Sequence, residues 1–252
     1  VLLQVHDELV LEVVESELDV VQASCASRWS TSWRSRAAHH RHPLGPQLGR
    51  SKVRDFYARA TEVEIIRQYL NEQLPGRTIA CADILLPRQL KYPEPEAFQS
   101  LVAGKRMKGM RRRGKYLLLD LQDGSTIVFH LRMTGSLVYD PSGKQRDAYA
   151  RMVFHLAGGG ALVFADVRTF GCVYGFAAGE EIAVPGLQSL GPEPLSDAFT
   201  PAYLAQAVRG RKQPVKSFLL DQRRIAGLGN IYADEALFLA GIHPRREAGS
   251  LT

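Results

Sequence analysis

"KRMKGMRRRGKYLLLDL", Lys105–Leu121, passes without a break from a cationic run into an apolar one. Seven Lys or Arg residues lie between Lys105 and Lys115 with no acid among them, and from Tyr116 the segment reads as a strand. A charge run alone is usually a solvated face. One that feeds into an apolar strand puts Lys115 and its neighbours on a rigid sheet edge, where several phosphates could be neutralised at once. Nucleic acid is therefore the expected partner, and a β layer the expected scaffold.

Three further strand signals lie on the carboxyl side: "STIVFHLRMTGSLVYD", "YARMVFHLAG" and "ALVFADVRTFGCVYGF", with Gly-rich or Asp-Pro turns between them. On the amino side, "EPEAFQSLVAGK" reads as a short helix and "GRTIACADIL" as a strand. Before them, "RATEVEIIRQYL", Arg59–Leu70, reads as a helix: Thr61 is expected to cap it with Glu64 reaching back, and Val63, Ile66 and Leu70 fall on one face. The Gly/Pro stretch "GLQSLGPEPLSD" marks a boundary near Gly191 to Ser196. Beyond it "TPAYLAQAVRG", "PVKSFLLDQ" and "NIYADEALFLAG" all read as helix. The pattern gives an α+β chain: an antiparallel β layer flanked by helices, then a helical domain.

Two other stretches could carry chemistry. In "DQRRIAGLGNIYADEALF", Gly227 and Gly229 permit a tight turn, and Asn230 is expected as the N-cap of the next helix, whose free N–H groups can hold a phosphate. An ordinary αα-hairpin explains this motif alone equally well. Lys216, Arg223 and Arg224 around it favour DNA or RNA. In "HLRMTGSL" and "DVRTFG", Met133 stands at a strand-to-turn position, and Arg168 and Phe170 alternate at a strand end. Met133 and Phe170 read as core residues or, if exposed, as wedges that fill the gap left by an extruded base.

Composition sets bounds on these readings. The chain has 252 residues, 45% of them hydrophobic, and a formal charge of +6. That excludes disorder throughout and suits a polyanionic partner where the cations cluster. No apolar run approaches the roughly 20 residues of a membrane span, and no signal-peptide order is seen, so a cytoplasmic protein with no membrane partner is expected. Cys25, Cys81 and Cys172 are far apart and odd in number, which argues against a disulfide framework or cysteine-bound metal.

The first sixty residues have another texture. Val1 to Val14, "VLLQVHDELVLEVV", alternates around His6-Asp7 like a strand, hairpin turn and strand. From Gln22 to Arg54 the chain has no period of 2 or 3.6, and this tail is expected to be largely disordered. His39, His40 and His42 read as part of a solvated basic tail rather than a metal tract.

Taken together, "TEVEIIR", "RRRGKYLLLDL", "HLRMTGSL", "DVRTFG" and "LLDQRRIAGLGNIYADEALFLAGIHP" resemble the formamidopyrimidine-DNA glycosylases, bifunctional glycosylases and abasic-site lyases of bacterial base excision repair. The likeness runs from Glu62 to Thr252. It implies a β-sandwich domain over 59–190 and a helix-two-turns-helix domain over 196–252. It also implies a monomer that holds damaged double-stranded DNA and flips an oxidised purine, such as 8-oxoguanine or a formamidopyrimidine, into a pocket. By the same resemblance, Lys115 is the catalytic hairpin lysine, and Glu62 and Glu64 match the carboxylates of the first helix, Glu62 being the one implicated in the active site. Met133, Arg168 and Phe170 fill the vacated stack, and Asn230 and, less closely, Lys216 bind phosphate. Family members attack the sugar with an amino-terminal proline beside a glutamate. Here Ala58 and Arg59 stand at those positions, and neither an interior peptide nitrogen nor an arginine can serve. A DNA-binding remnant without catalysis is thus the alternative, and an RNA-binding module a minor third. The family's carboxyl-terminal zinc finger of two Cys-x-x-Cys pairs has no counterpart in these residues, so no cofactor is expected in this chain.

"VLLQVHDELVLEV" in turn resembles the late palm segment of family A DNA polymerases. A polymerase-like fragment over 1–21 and an irregular linker over 22–58, joined by a frame disturbance, are expected. A single Asp on such a fragment cannot support two-metal chemistry.

Overall fold

The computed structural model describes residues 2–5, 8–11, 60–144 and 147–251, with side chains from Glu62 onward. The linker, the three histidines, His6-Asp7, Ala58 and Arg59 lie outside the described residues. The chain forms two units, residues 1–49 and 50–252. In the first, β1 (Leu2–Val5) and β2 (Glu8–Leu11) pair antiparallel, Val5 opposite Glu8, as the alternation around His6-Asp7 predicts.

The second unit opens with α1 (Ala60–Gln73) and contains two sheets. One comprises β3 (Ile79–Ile84), β8 (Gly135–Asp140), β9 (Ala150–Leu156) and β10 (Ala161–Asp166), in the order β3-β9-β10-β8. The other comprises β4 (Leu90–Tyr92), β5 (Met107–Arg113), β6 (Tyr116–Leu121), β7 (Thr126–His130) and β11 (Cys172–Phe176), in the order β4-β11-β7-β6-β5. All pairings are antiparallel except β4 with β11. The short α2 (Pro95–Val102) follows β4.

The sheets meet through apolar side chains spaced two apart. Leu117, Leu119 and Leu121 of β6 enter a core shared with Phe154 of β9 and Phe164 of β10. Phe129 of β7 is fully buried there and meets Phe154 and Phe164 at centroid separations of 5.9 and 6.1 Å. The opposite face of β6 is covered as well: Tyr116 and Leu118 pack with Val128, Phe176 and Val184. Burial on both faces explains why "YLLL" is continuously apolar instead of alternating.

Helix α1 supports the exposed edge at β5. Val63, Leu70 and Leu74 are buried with Ile66 packed beside them, the face the sequence predicts. The helix begins before the expected cap, at Ala60, and the Glu64 carboxylate is engaged elsewhere, by Arg67, Gln68 and Arg112. These arginines offer the carboxylate stronger, charge-assisted partners than a backbone N–H. Two turns beyond Glu64, Asn71 both donates to Met110 O and accepts from Met110 N, each at 2.7 Å, satisfying an edge-strand peptide that would otherwise be unpaired.

The helical part holds α3 (Pro201–Val208), α4 (Val215–Leu220) and α5 (Asn230–Leu239) around Val208, Val215, Phe218, Ile225 and Leu237. Thr200 caps α3 by accepting the Tyr203 N–H at 3.0 Å.

Candidate nucleic-acid interface

Residues from four strands meet at one end of the sandwich. Lys115 follows Gly114 in the two-residue turn of the β5–β6 hairpin, and the next residue, Tyr116, lies opposite His130 at the end of β7. His130 in turn lies opposite Cys172 at the start of β11. The turn after β7 carries Arg132 and Met133, and the loop before β11 carries Arg168 and Phe170. Register alone therefore brings Lys115 and the two wedge motifs to the same edge.

Exposure removes the core reading: Met133 is 41% and Phe170 58% accessible. Arg168 Nη1 lies 3.8 Å from Met133 Sδ, so the two loops touch. One expectation changes. Arg168 and Phe170 sit in a loop beyond β10 and not on its end, because the strand stops at Asp166, whose side chain turns in to bind the loop.

The hairpin tip docks on the helical part. Gly114 donates its N–H to Glu193 Oε1 at 2.9 Å, and Arg113 Nη2 donates to the carbonyls of Leu190 and Gly191 at 2.9 and 2.8 Å. On this mount Lys115 faces the glycine turn between α4 and α5: a Cβ placed on Gly229 would lie 3.5 Å from Lys115 Nζ. The two glycines differ. Gly227 has φ +84°, which a side chain would strain, whereas Gly229 has φ −108°, and a Cβ there would make only ordinary contact with the lysine. Gln222 fastens the turn, accepting from Gly227 N and donating to Leu228 O. Asn230 is the first residue of α5, not its cap. Gly229 occupies the cap position, so Asn230 is exposed and presents its side chain and N–H at the positive end of the helix.

The basic run is less available than its sequence suggests. Lys105 pairs with Asp123, Arg111 with Asp120, Arg112 with both Glu64 and Glu193, and Arg113 with Glu193. Acids distant in sequence neutralise these four residues, so the expected cooperative phosphate edge is narrowed. Among the described residues, Lys115 makes no ion pair. A cleft of about 670 Å³ lies beside this network, with Arg67, Arg112 and Glu193 in its lining. Around the second turn, Lys216 is held by Asp234 at 2.8 Å and Arg223 by Asp221 at 3.0 Å. Their availability to phosphate depends on exchanging those partners.

Burial shifts two groups in useful directions. It holds the Lys115 ammonium below its ordinary pKa, as an amine nucleophile requires. His130 is lowered to about 4 by burial first, then by Arg132 and Lys115. Its Nδ1 accepts the Arg132 N–H at 3.1 Å, which fixes the neutral ring with its proton on Nε2. His130 stands among the site residues though the sequence singled out only its neighbours; its place in the quoted "HLRMTGSL" was the available signal. Glu62 lies half-buried in the first turn of α1. Glu64 is lowered to about 2, chiefly by Arg67, and serves as a structural anion.

Among the described residues no group of three or more His, Cys, Asp or Glu could hold a metal, so these residues do not fit a zinc site. No described helix is long and apolar enough to cross a membrane.

A lysine-tipped hairpin set against two helices joined by a glycine turn, with Met133, Arg168 and Phe170 beside it, defines the class of surface that suits a nucleic-acid duplex. Two family models refine this. The formamidopyrimidine-DNA glycosylase N-terminal domain matches residues 59–173, and the H2TH domain of the same enzymes matches residues 190–252. The chain belongs to the formamidopyrimidine-DNA glycosylase family. The formamidopyrimidine-DNA glycosylase of Moorella thermoacetica is 48% identical over 190 residues, covering 75% of this chain and 69% of that protein. That of Symbiobacterium thermophilum is 48% identical over 191 residues, covering 76% and 62%. Among solved structures, Lactococcus lactis Fpg in complex with abasic-site DNA aligns with TM-score 0.72 at 32% identity, over 77% of this chain and 71% of that one. The MutM (Fpg) protein of Thermus thermophilus aligns with TM-score 0.67 at 38% identity, over 77% and 68%.

Proposed function

We propose that the protein is a base excision repair glycosylase that removes oxidised purines, such as 8-oxoguanine and formamidopyrimidine, from duplex DNA and acts as a lyase on the abasic site. The observation that carries this reading is the seating of Lys115 against Gly229, where one amine, the free N–H groups of α5 and the wedge loops can engage a single kinked strand. Asn230 and Lys216 hold phosphates, while Met133, Arg168 and Phe170 enter the stack and replace the extruded base.

In the chemical step an amine lone pair bonds to C1′ as the bond from C1′ to the base breaks. The two amine protons pass to the departing base and to O4′ as the C1′–O4′ bond breaks, leaving a Schiff base. Loss of a C2′ proton and then a C4′ proton expels the 3′ and 5′ phosphates, and water finally releases the amine. In this reading Glu62 of the first helix moves protons at the sugar. Ala58 and Arg59 supply neither an amine nor an acid, so among the described residues Lys115 is the nucleophile of this reading. The remnant that binds without cleaving is the less favoured alternative. Incubating the chain with a duplex carrying 8-oxoguanine opposite cytosine and adding borohydride separates them. A covalent adduct that is lost in Lys115→Ala supports the enzyme. Binding without any adduct supports the remnant, and an adduct that survives Lys115→Ala assigns the amine elsewhere.

We also read the β1–β2 hairpin as a polymerase-like fragment joined to this family's fold, supported by its likeness around His6-Asp7. Independent resequencing of the coding DNA tests the frame disturbance, and an uninterrupted frame overturns it.

A further inference from the structure

The Met133 turn and the Arg168–Phe170 loop leave different strands, yet one hydroxyl joins them. Thr134 Oγ1 donates to Asp166 Oδ1 at 2.5 Å and accepts the backbone N–H of Arg168 at 3.1 Å. Asp166 is 1% exposed, and its other oxygen accepts Gln89 Nε2 at 2.8 Å and the Gly171 N–H at 2.7 Å. A buried carboxylate so bonded is a fixed point, because any donor it loses leaves charge without compensation. Each loop also contains one non-glycine residue at positive φ, Arg132 at +57° and Thr169 at +59°. Such residues persist only where surrounding bonds hold them. Thr169 is further tied by Arg88 at 2.7 Å.

We infer that Thr134 is a positioning residue that makes the two loops one rigid wedge, so that Met133, Arg168 and Phe170 enter the duplex together. The inference rests on the duplex-wedge reading given above. The role needs a hydroxyl that donates and accepts at once; valine copies the shape of threonine and does neither, while serine does both.

The test uses the full chain and two duplexes, one intact and one with a tetrahydrofuran abasic analogue facing 2-aminopurine. The unaltered protein should bind the analogue duplex more tightly and change its fluorescence as the wedge displaces the facing base. Thr134→Val should lower that preference about tenfold, the worth of one to two hydrogen bonds, and abolish the fluorescence change while leaving intact-duplex affinity as it was. Thr134→Ser should retain both signals. Full preference and fluorescence in Thr134→Val overturn the inference. So does an equal fall in affinity for both duplexes, which marks a general structural role. If the unaltered protein shows no preference for the analogue duplex, the wedge reading itself fails and takes this inference with it.

Discussion

Glu193 accepts the Gly114 N–H at 2.9 Å, so a residue at the head of the helical part holds the tip of the hairpin that carries Lys115. The same carboxylate pairs with Arg112 at 2.6 Å, and Arg112 reaches Glu64 of α1 at 2.8 Å. Helix, hairpin and linker are joined at one point.

Glu193→Ala should therefore act on both stability and chemistry. It removes one of two anions from a largely covered arginine and frees the hairpin tip, costing about 2 kcal/mol in urea unfolding. Borohydride trapping through Lys115 should fall with it. Unchanged trapping in a folded Glu193→Ala protein would show that the tip does not need this anchor.

Acid should destabilise the protein in two overlapping windows. His130 titrates near 6.5 when unfolded and about 4 when folded, so stability declines as the pH falls from 6.5 towards 4. The loss is on the order of 3 kcal/mol, because each pH unit between the two values is worth about 1.4 kcal/mol. Glu64, about 2 when folded and 4.5 when unfolded, adds a loss as the pH falls below 4.5. Urea midpoints measured from pH 7 to pH 4 should fall across the first window, and His130→Phe should flatten that part of the profile.

The ion pairs of β5 predict an uneven response to salt. Before it gives up a proton for attack, Lys115 binds as a cation, so Lys115→Gln should lower the slope of log affinity against log salt by about 0.9, one phosphate contact. Arg111→Gln should leave the slope nearly unchanged, since Asp120 already neutralises that charge. Equal slopes for the two variants would mean that the pairs open on DNA.

Gly171 admits no side chain. An added Cβ would lie 2.7 Å from Phe164 Cζ and 3.1 Å from Asp166 Oδ2, and neither a core ring nor a bound carboxylate can retreat cheaply. Gly171→Ala should cost about 1–3 kcal/mol by overpacking. A thermal melt indistinguishable from that of the unaltered protein would contradict this.

Much of the scaffold is a local property and was legible as such. The buried face of α1, most of the strands and the three helices beyond Ser196 follow from apolar periods and from Gly and Pro punctuation, which short stretches of chain carry by themselves. The departures occur where a distant partner wins. Glu64 is shared between Arg67, three residues on, and Arg112, from another element that no local pattern brings near. Asn230 yields the cap to Gly229, which lies beside Lys115 of the distant hairpin. β4 joins its sheet by a parallel pairing to β11, far along the chain, that no local pattern announces.

The sequence by itself determined the α+β class, the order of elements and the residue types available for phosphate, wedge and amine chemistry, because these follow from periodicity and side-chain identity. Only the tertiary structure decided which of them are usable. It neutralised Arg111 across its own hairpin and Arg112 and Arg113 with acids remote in sequence, and left Lys115 unpaired among the described residues against the glycine turn. It also tied Met133 to Arg168 through Thr134. Ion pairing, burial and close approach depend on distances between atoms far apart along the chain, and folding alone sets those distances.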